Sequence, residues 1–426
     1  MEPPPEEPRG GARSRLRGLA LDAAPLRISR DFRLVWTGLL ITSAGSQFTL
    51  VAVFVQVKDL TGSAAAVGAT GLAWLVGLIA GSLAGGAVLD SHDRRRMLMA
   101  AQVVLASGSA VLLTGALVGH PPLWLVYGGL AILAAGSAID GPTRSAMTPR
   151  LLGPALIPAA QALNQVVWNT AALVGPALAG VVVAQAGVRV AYAIDLTSIV
   201  FMLVAASRLQ PMPPIATEHA ETGLRAIREG FAFARGHRLI LSTFVIDLVA
   251  MIFGLPRALF PFLIVDQFHR SQAAIGLLFA APALGALLGA LSSGWTGRVV
   301  RQGRAVIVSV IAWGLAIAAF GASGPWLWFG LAMLAVAGWA DVISAIFRST
   351  ILQVSAPDHL LGRLSGIHIL VVTGGPRLGD VEAGVVARLV SPTFSVISGG
   401  LACVIGALLV AGAYPELREA RAGRTP

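Results

Sequence analysis

The sequence predicts an all-α polytopic membrane protein, with twelve transmembrane helices arranged as two pseudo-symmetric six-helix bundles. Three observations predict it: recurrent apolar runs of spanning length, a lopsided distribution of arginine between alternate loops, and an internal repeat. Of the 426 residues, 56% are hydrophobic and 12% charged, whereas soluble domains carry roughly 25% charge. Runs of about 20 apolar residues suit a hydrocarbon core about 30 Å thick. The shorter alternating segments of a membrane barrel are absent.

Reading apolar windows between charged or Pro/Gly punctuation places spans near 34–57, 64–89, 97–118, 122–143, 155–185 and 188–207. A polar stretch follows, then spans near 239–265, 272–296, 304–322, 325–346, 363–390 and 394–413. The implied domains are an N-terminal tail (1–33), a first bundle (34–207), a linker (208–238), a second bundle (239–413) and a C-terminal tail (414–426). The linker segment GLRAIREGFAFARGH sets Leu224, Ile227 and Phe231 at helical spacing beside Arg225, Arg228 and Arg235. That pattern reads equally as an interfacial amphipathic helix or a solvated linker helix.

With both termini on one side, the tails and the loops of that side hold 25 of the 31 Lys and Arg residues. The opposite loops hold four: Lys58, Arg189, Arg270 and Arg388. The positive-inside rule then places both termini in the cytoplasm. Thirty arginines against one lysine fit a GC-rich bacterial genome, so the expected location is a bacterial cytoplasmic (inner) membrane. Net charge +10 is spread over many loops and forms no single basic face, so nucleic acid is not an expected partner. Cys403 is the only cysteine, which excludes an intramolecular disulfide and a cysteine zinc cluster. Residues 1–33 lack the apolar core of a cleavable signal.

The halves align. Gly129-Leu-Ala-Ile-Leu-Ala-Ala-Gly136 matches Gly330-Leu-Ala-Met-Leu-Ala-Val-Ala-Gly338 after one insertion, and PPLW at 121–124 matches PWLW at 325–328. Arg-Ser follows at 144–145 and again at 348–349. Gly175-Pro176 in span five corresponds to Gly375-Pro376 in span eleven. Their common order implies parallel six-helix repeats with a substrate site between them near the midplane.

Between spans two and three, Gly86-Ala-Val-Leu-Asp90-Ser-His-Asp-Arg94-Arg95-Arg96 resembles the G-x-L-x-D-R-x-G-R-R loop of the major facilitator superfamily. Val88, Ser91 and Asp93 depart from it. In physical terms Gly86 permits close helix approach, Asp90 can dock on a neighbouring helix, and the arginines hold a gate and the inner leaflet. Gly175-Pro176-Ala-Leu-Ala-Gly180 is similar to the G-P-x-x-G-G antiporter motif of facilitator drug exporters, with Ala179 replacing one glycine. Further segments resemble the enterobactin exporter and related drug-efflux branch: RDFRLVWTG (30–38), DLTGSAAAVG (59–68), GLPRALFP (254–261) and GGPRLGD (374–380). The resemblance implies a major facilitator fold and proton-driven export of amphipathic, drug-like or siderophore-like molecules.

Ionisable residues inside spans default to functional hypotheses. Asp247 is the leading proton-coupling candidate, with Asp380, Glu382 and Asp195 as rivals. Arg257 and Arg377 are their natural counter-charges, and a structural pairing of Arg377 with Asp380 or Glu382 is the alternative reading. Gln47, Asn164, Trp168, Asn169, Arg257 and Arg377 are candidate cavity residues. Asp140 with Arg144, and Asp341 with Arg348, read as charge pairs at the cytoplasmic span ends. No H-E-x-x-H, G-x-S-x-G or G-x-x-x-x-G-K-[ST] motif occurs, so neither an enzyme nor an ATP-driven pump is expected. The expectation is a monomeric secondary exporter with protons, membrane lipids and a small molecule as partners, and no cofactor or metal. A facilitator-type importer and a non-transporting sensor remain the alternatives.

Overall fold

The computed structural model describes residues 22–89, 92–213 and 231–421. Asp90 and the centre of the expected amphipathic segment lie outside these described residues. The first half comprises α1 (Arg30–Thr61), α2 (Ala64–Leu89), α3 (Arg94–Val118), α4 (Leu123–Leu151) and α5 (Ile157–Ser207). The second comprises α6 (Arg238–Phe253), α7 (Phe260–Asp266), α8 (Ile275–Leu291), α9 (Gln302–Gly321), α10 (Leu327–Ser355), α11 (Asp358–Leu389) and α12 (Pro392–Ala413). Among the described residues, ten helical segments are long and apolar enough to cross a membrane.

Two departures from one helix per span have local causes. Spans five and six, together α5, are two helices that follow one another without a loop and break at Gly187, whose φ 80 and ψ 169 are not helical and lie in a backbone region that glycine adopts without steric cost. Span seven is instead broken, because Pro256 has no N–H to continue the ladder after Gly254. The groups freed there are satisfied from elsewhere, as hydrocarbon requires. Trp313 Nε1 donates to the Gly254 carbonyl at 2.8 Å, and the Ala258 N–H donates to Asp380 Oδ1 at 3.2 Å. Counting α5 twice, α6 with α7 once, and α11 as a span gives an arrangement consistent with the expected twelve.

The repeat seen in sequence recurs in three dimensions. In the first half α2 lies on α4 so closely that a Cβ at Gly77 would collide with the Ala131 carbonyl. In the second half α8 lies on α10, and a Cβ at Gly285 would collide with the Ala335 carbonyl. Small residues of this kind let membrane helices approach to backbone contact.

The halves meet through α2 against α11 and α5 against α8. On α2, Gly68 faces the backbone of Asp380 and Gly384, and Gly71 faces the Arg377 carbonyl; Gly180 on α5 abuts Gly276 on α8. Phe54 stacks with Phe279 across the same seam, ring centres 6.0 Å apart, and Gln272 Nε2 donates to Asp59 Oδ1 at 3.3 Å. These contacts lie away from the arginine-rich face. One apolar core joins both halves there, including Phe54, Val183, Phe260 and Phe279. Toward the arginine-rich face the core divides. Val35, Leu98, Met147 and Met202 cluster within the first half, and Ile240, Phe244, Leu352 and Leu364 within the second. The molecule is therefore sealed at one end and parted at the other.

Gly285→Leu is expected to lower stability by about 1–3 kcal/mol, the usual cost of overfilling a close contact. Thermal unfolding of detergent-purified protein checks it. Gly128→Leu, where a Cβ would meet nothing within 4 Å, should leave the midpoint unchanged.

Candidate functional site

Between the parted halves lies a cavity of about 480 Å³. Its wall is drawn mostly from α1 to α5, with Thr373 and Arg377 contributed by α11. Gln47, Trp168 and Arg377, three of the six candidate cavity residues, line it, whereas Asn164, Asn169 and Arg257 are not part of the lining. Asn169 is exposed and accepts from Gln165 Nε2 at 3.1 Å. A larger groove of about 650 Å³ runs between α1 and the second span of α5, with Leu40, Val190 and Phe201 in its wall. It carries almost no polar surface, which suits an acyl chain better than a polar solute.

Asp140 and Arg144 sit in the cavity wall as an ion pair, one turn apart on α4. The other Asp140 oxygen accepts from Gln102 Nε2 at 2.7 Å. Asp195 also reaches the wall, where its Oδ2 accepts from the Thr49 hydroxyl at 2.8 Å and the Ser109 hydroxyl at 3.0 Å. Three spans of the first half thus converge on one carboxylate that has no cation beside it among the described residues. One oxygen of this buried carboxylate is thereby satisfied, as buried polar groups require.

Asp247 is fully buried on α6 and forms an ion pair with Arg348 of α10, Nη2 to Oδ1 2.9 Å. The partner expected from sequence, Asp341, stands 3.9 Å from the same guanidinium. Arg348 also donates through Nη1 to Ser344 Oγ at 3.2 Å. His368 of α11 brings Nδ1 to 3.7 Å from the second Asp247 oxygen. Exposure rises outward from this centre: Asp247 0% and Arg348 3%, then His368 30% and Asp341 35%. A sealed carboxylate is thus flanked by an imidazole and an acid that reach solvent.

Asp380 is buried on α11, with Arg377 Nη1 3.8 Å from its Oδ2 and its other oxygen occupied at the span-seven break. Arg377 lies over the Trp74 ring of α2, 4.6 Å from the centroid. Glu382 is half-buried further along the same helix, with no ion partner among the described residues. Gly175 faces Gln47, and Pro176 and Gly180 contribute to the seam with α8. Gly86 lies in the last turn of α2, and Arg94, Arg95 and Arg96 open α3. Asp93, which departs from the facilitator pattern, caps that helix by accepting from the Arg95 and Arg96 N–H groups. It also accepts from the Met212 N–H at 2.7 Å, while Arg95 reaches the Ser207 carbonyl at 2.5 Å.

His368, Thr49, Ser109 and Trp74 are site residues that sequence reasoning misses. His368 has a readable signal, since it stands nine positions before Arg377 on one helix. The hydroxyls and Trp74 have none, because their importance arises only from contacts between distant segments.

Residues 21–423 match the family described as transmembrane secretion effectors. The enterobactin exporter EntS of Citrobacter koseri is 30% identical over 417 residues, covering 94% of this chain and 96% of its own. Its Escherichia coli O1:K1 counterpart is 28% identical over 411 residues, with the same coverage. Among solved structures, a bacterial homolog of the human lysosomal transporter Spinster, inward-facing and unoccupied, superposes with TM-score 0.72 at 14% identity. It covers 92% of this chain and 98% of its own. A mutant of the nucleoside transporter NupG gives TM-score 0.70 at 14% identity, over 91% of this chain and 98% of its own.

Arg348→Gln should destabilise the protein by about 3–5 kcal/mol, because it leaves the Asp247 carboxylate buried without a counter-charge. The double variant Asp247→Asn/Arg348→Gln should recover most of that loss. Thermal midpoints of the two, measured in the same detergent, decide it.

Proposed function

The chain belongs to the transmembrane secretion effector family, as a multi-pass membrane transporter and not an enzyme, and from that premise we propose that it exports a small amphipathic molecule in exchange for protons. The observation that carries this reading is the cavity between two halves that touch at one end only. Such an arrangement presents a midplane site to one side and reaches the other when the halves rock, which is alternating access. Both halves and the cavity belong to one chain, so the unit of transport is a monomer. The arginine-rich, parted end faces the cytoplasm of a bacterial inner membrane in this reading, by the positive-inside rule. Substrate is then loaded from inside, as export requires. The relatives named as enterobactin exporters support outward movement, and the Gly175-Pro176-Gly180 segment at the α5–α8 seam is where such a rocking motion pivots.

Asp247 is the proton carrier in this scheme. A carrier must bind a proton in one state and release it in another, so its surroundings have to change with conformation. Asp247, on α6, takes its partners from α10 and α11, and α11 also carries half of the α2–α11 seam. Motion at the seam therefore alters the cluster. Protonation of Asp247 frees Arg348 to swing toward Asp341, and His368 supplies the adjoining titratable group. Asp380 is committed to the backbone at the span-seven break. Asp195, held by two hydroxyls, serves the cavity wall.

Inverted vesicles with an acidic lumen test the proposal, using a panel of siderophores, macrolides and lipophilic cations and a lumenal pH probe. One compound is expected to release protons with wild type. Asp247→Asn should abolish that release and retain counterflow, in which substrate exchanges for substrate without net proton movement. Loss of both activities in a correctly folded variant assigns Asp247 to substrate binding instead. Proton release that persists in Asp247→Asn removes it as the carrier.

A further inference from the structure

Two faces of α1 line two different recesses. Thr42, Ser46 and Thr49 look into the cavity between the halves, whereas Ile41, Ala44 and Phe48 line the apolar groove against the second span of α5. Helical spacing sets these groups on opposite sides of α1, so the groove lies on the membrane-facing surface of the first half. Its volume of about 650 Å³ falls within the about 300–1,000 Å³ of ligand sites. Its floor is the contact of Gly45 with α5, where a Cβ would collide with Ser198 Oγ. The two hydroxyls of the wall have no proton to offer a ligand: Thr197 donates to the Ala193 carbonyl and Ser198 to the Asp195 carbonyl, each at 2.7 Å. What fills the groove therefore meets almost only hydrocarbon.

Length and charge say which hydrocarbon. From Val190 to Phe201 the α5 wall runs about 16 Å at about 1.5 Å per residue, close to half of a hydrocarbon core roughly 30 Å thick. It starts just after the Gly187 break, at the end of the span remote from the arginine-rich face. The groove thus follows a single leaflet from its edge to the midplane. At that edge stands Arg189, which is exposed and has no hydrogen-bond or ion partner among the described residues. Arg189, Ala193 and Thr197 are spaced by four, so the arginine tops the same helical stripe as two wall residues. Lys58, the basic residue at this end of α1, is turned instead to Phe262 of the second half, 5.6 Å from the ring centre.

We propose that this groove binds one anionic phospholipid of the leaflet remote from the arginine-rich end, with an acyl chain laid between α1 and α5 and its phosphate on Arg189. A guanidinium meets phosphate through paired hydrogen bonds, and a basic side chain at headgroup level favours an anionic lipid. The lipid presses on the helix whose opposite face forms the cavity wall, so membrane composition acts on that wall directly. The site does not depend on the export reading.

Native mass spectrometry of detergent-purified full-length protein tests it. The probes are phosphatidylglycerol and phosphatidylcholine with identical chains, and glycerophosphoglycerol as the headgroup without chains. The first lipid adduct is expected to favour phosphatidylglycerol about fivefold, the worth of one basic side chain beside an anionic headgroup. The chainless headgroup should not bind. Arg189→Gln should make the two lipids equal and keep the adduct, whereas Arg388→Gln, which alters an exposed arginine of α11, should leave the preference intact. Ala193→Phe, which fills the groove, should lower retention of both lipids, and Ala44→Phe should do the same from the other wall.

Equal retention of the two lipids by the wild type overturns the proposal, and so does an unchanged preference in Arg189→Gln. Because that substitution alters only an exposed side chain, it decides the case even where a filled groove prevents folding. Retention untouched by both groove-filling variants places the lipid elsewhere on the surface and also overturns it. Glycerophosphoglycerol bound as tightly as the lipid leaves a phosphate site with no part for the groove, which overturns it too.

Discussion

The close approach of α2 to α11 is the contact on which the rest of the molecule depends. With no Cβ at Gly68 and Gly71, the α2 backbone meets the α11 backbone at Arg377, Asp380 and Gly384. Lipid gives no hydrophobic drive for helices to associate, so dispersion across such tight seams has to hold the halves together. The matching Gly180–Gly276 contact of α5 and α8 completes the seal. Because neither seam extends to the arginine-rich end, the two half-cores part there and a polar cavity can exist.

The same seam fixes the ionisable residues of α11. Asp380 satisfies a backbone N–H released by the break in span seven, and Arg377 lies over an α2 tryptophan. A charge in hydrocarbon is tolerated when it is paired or reaches water, and each intramembrane charge here meets that condition differently. Asp247 has a cation, Asp195 has two hydroxyls, and Arg377 has an aromatic face and a solvent-lined wall. These local solutions distinguish a carboxylate paired with a side-chain cation from one that holds the backbone.

Much of the architecture is legible in the sequence because the bilayer imposes it. Span lengths, the arginine asymmetry and the internal repeat each follow from hydrocarbon thickness or insertion rules, and the helices fall where the apolar windows do. The Gly254-Leu-Pro256 break is foreshadowed by its proline, whereas the groups that satisfy it lie 59 and 122 positions away in the chain. Sequence proximity pairs Arg348 with Asp341, because both lie on one helix two turns apart. In the fold Arg348 is nearer Asp247, a choice that depends on how α6 and α10 pack and that no single-helix pattern encodes. The contact of His368 with Asp247 depends in the same way on how α6 and α11 pack. The wall residues Trp74, Arg144 and Arg377 come from α2, α4 and α11, and only the folded chain brings them to one cavity.

The lone thiol has a practical consequence. Cys403 is fully buried on α12, with its sulfur 3.8 Å from the Val310 carbonyl, and so is shielded from aqueous maleimides. The wild-type chain is therefore already a near-silent background for site-directed labelling. Paired spin labels or fluorophores can be introduced at the arginine-rich ends of the two halves without first stripping native thiols. Distances between them would turn the parting of the halves into a directly measured coordinate.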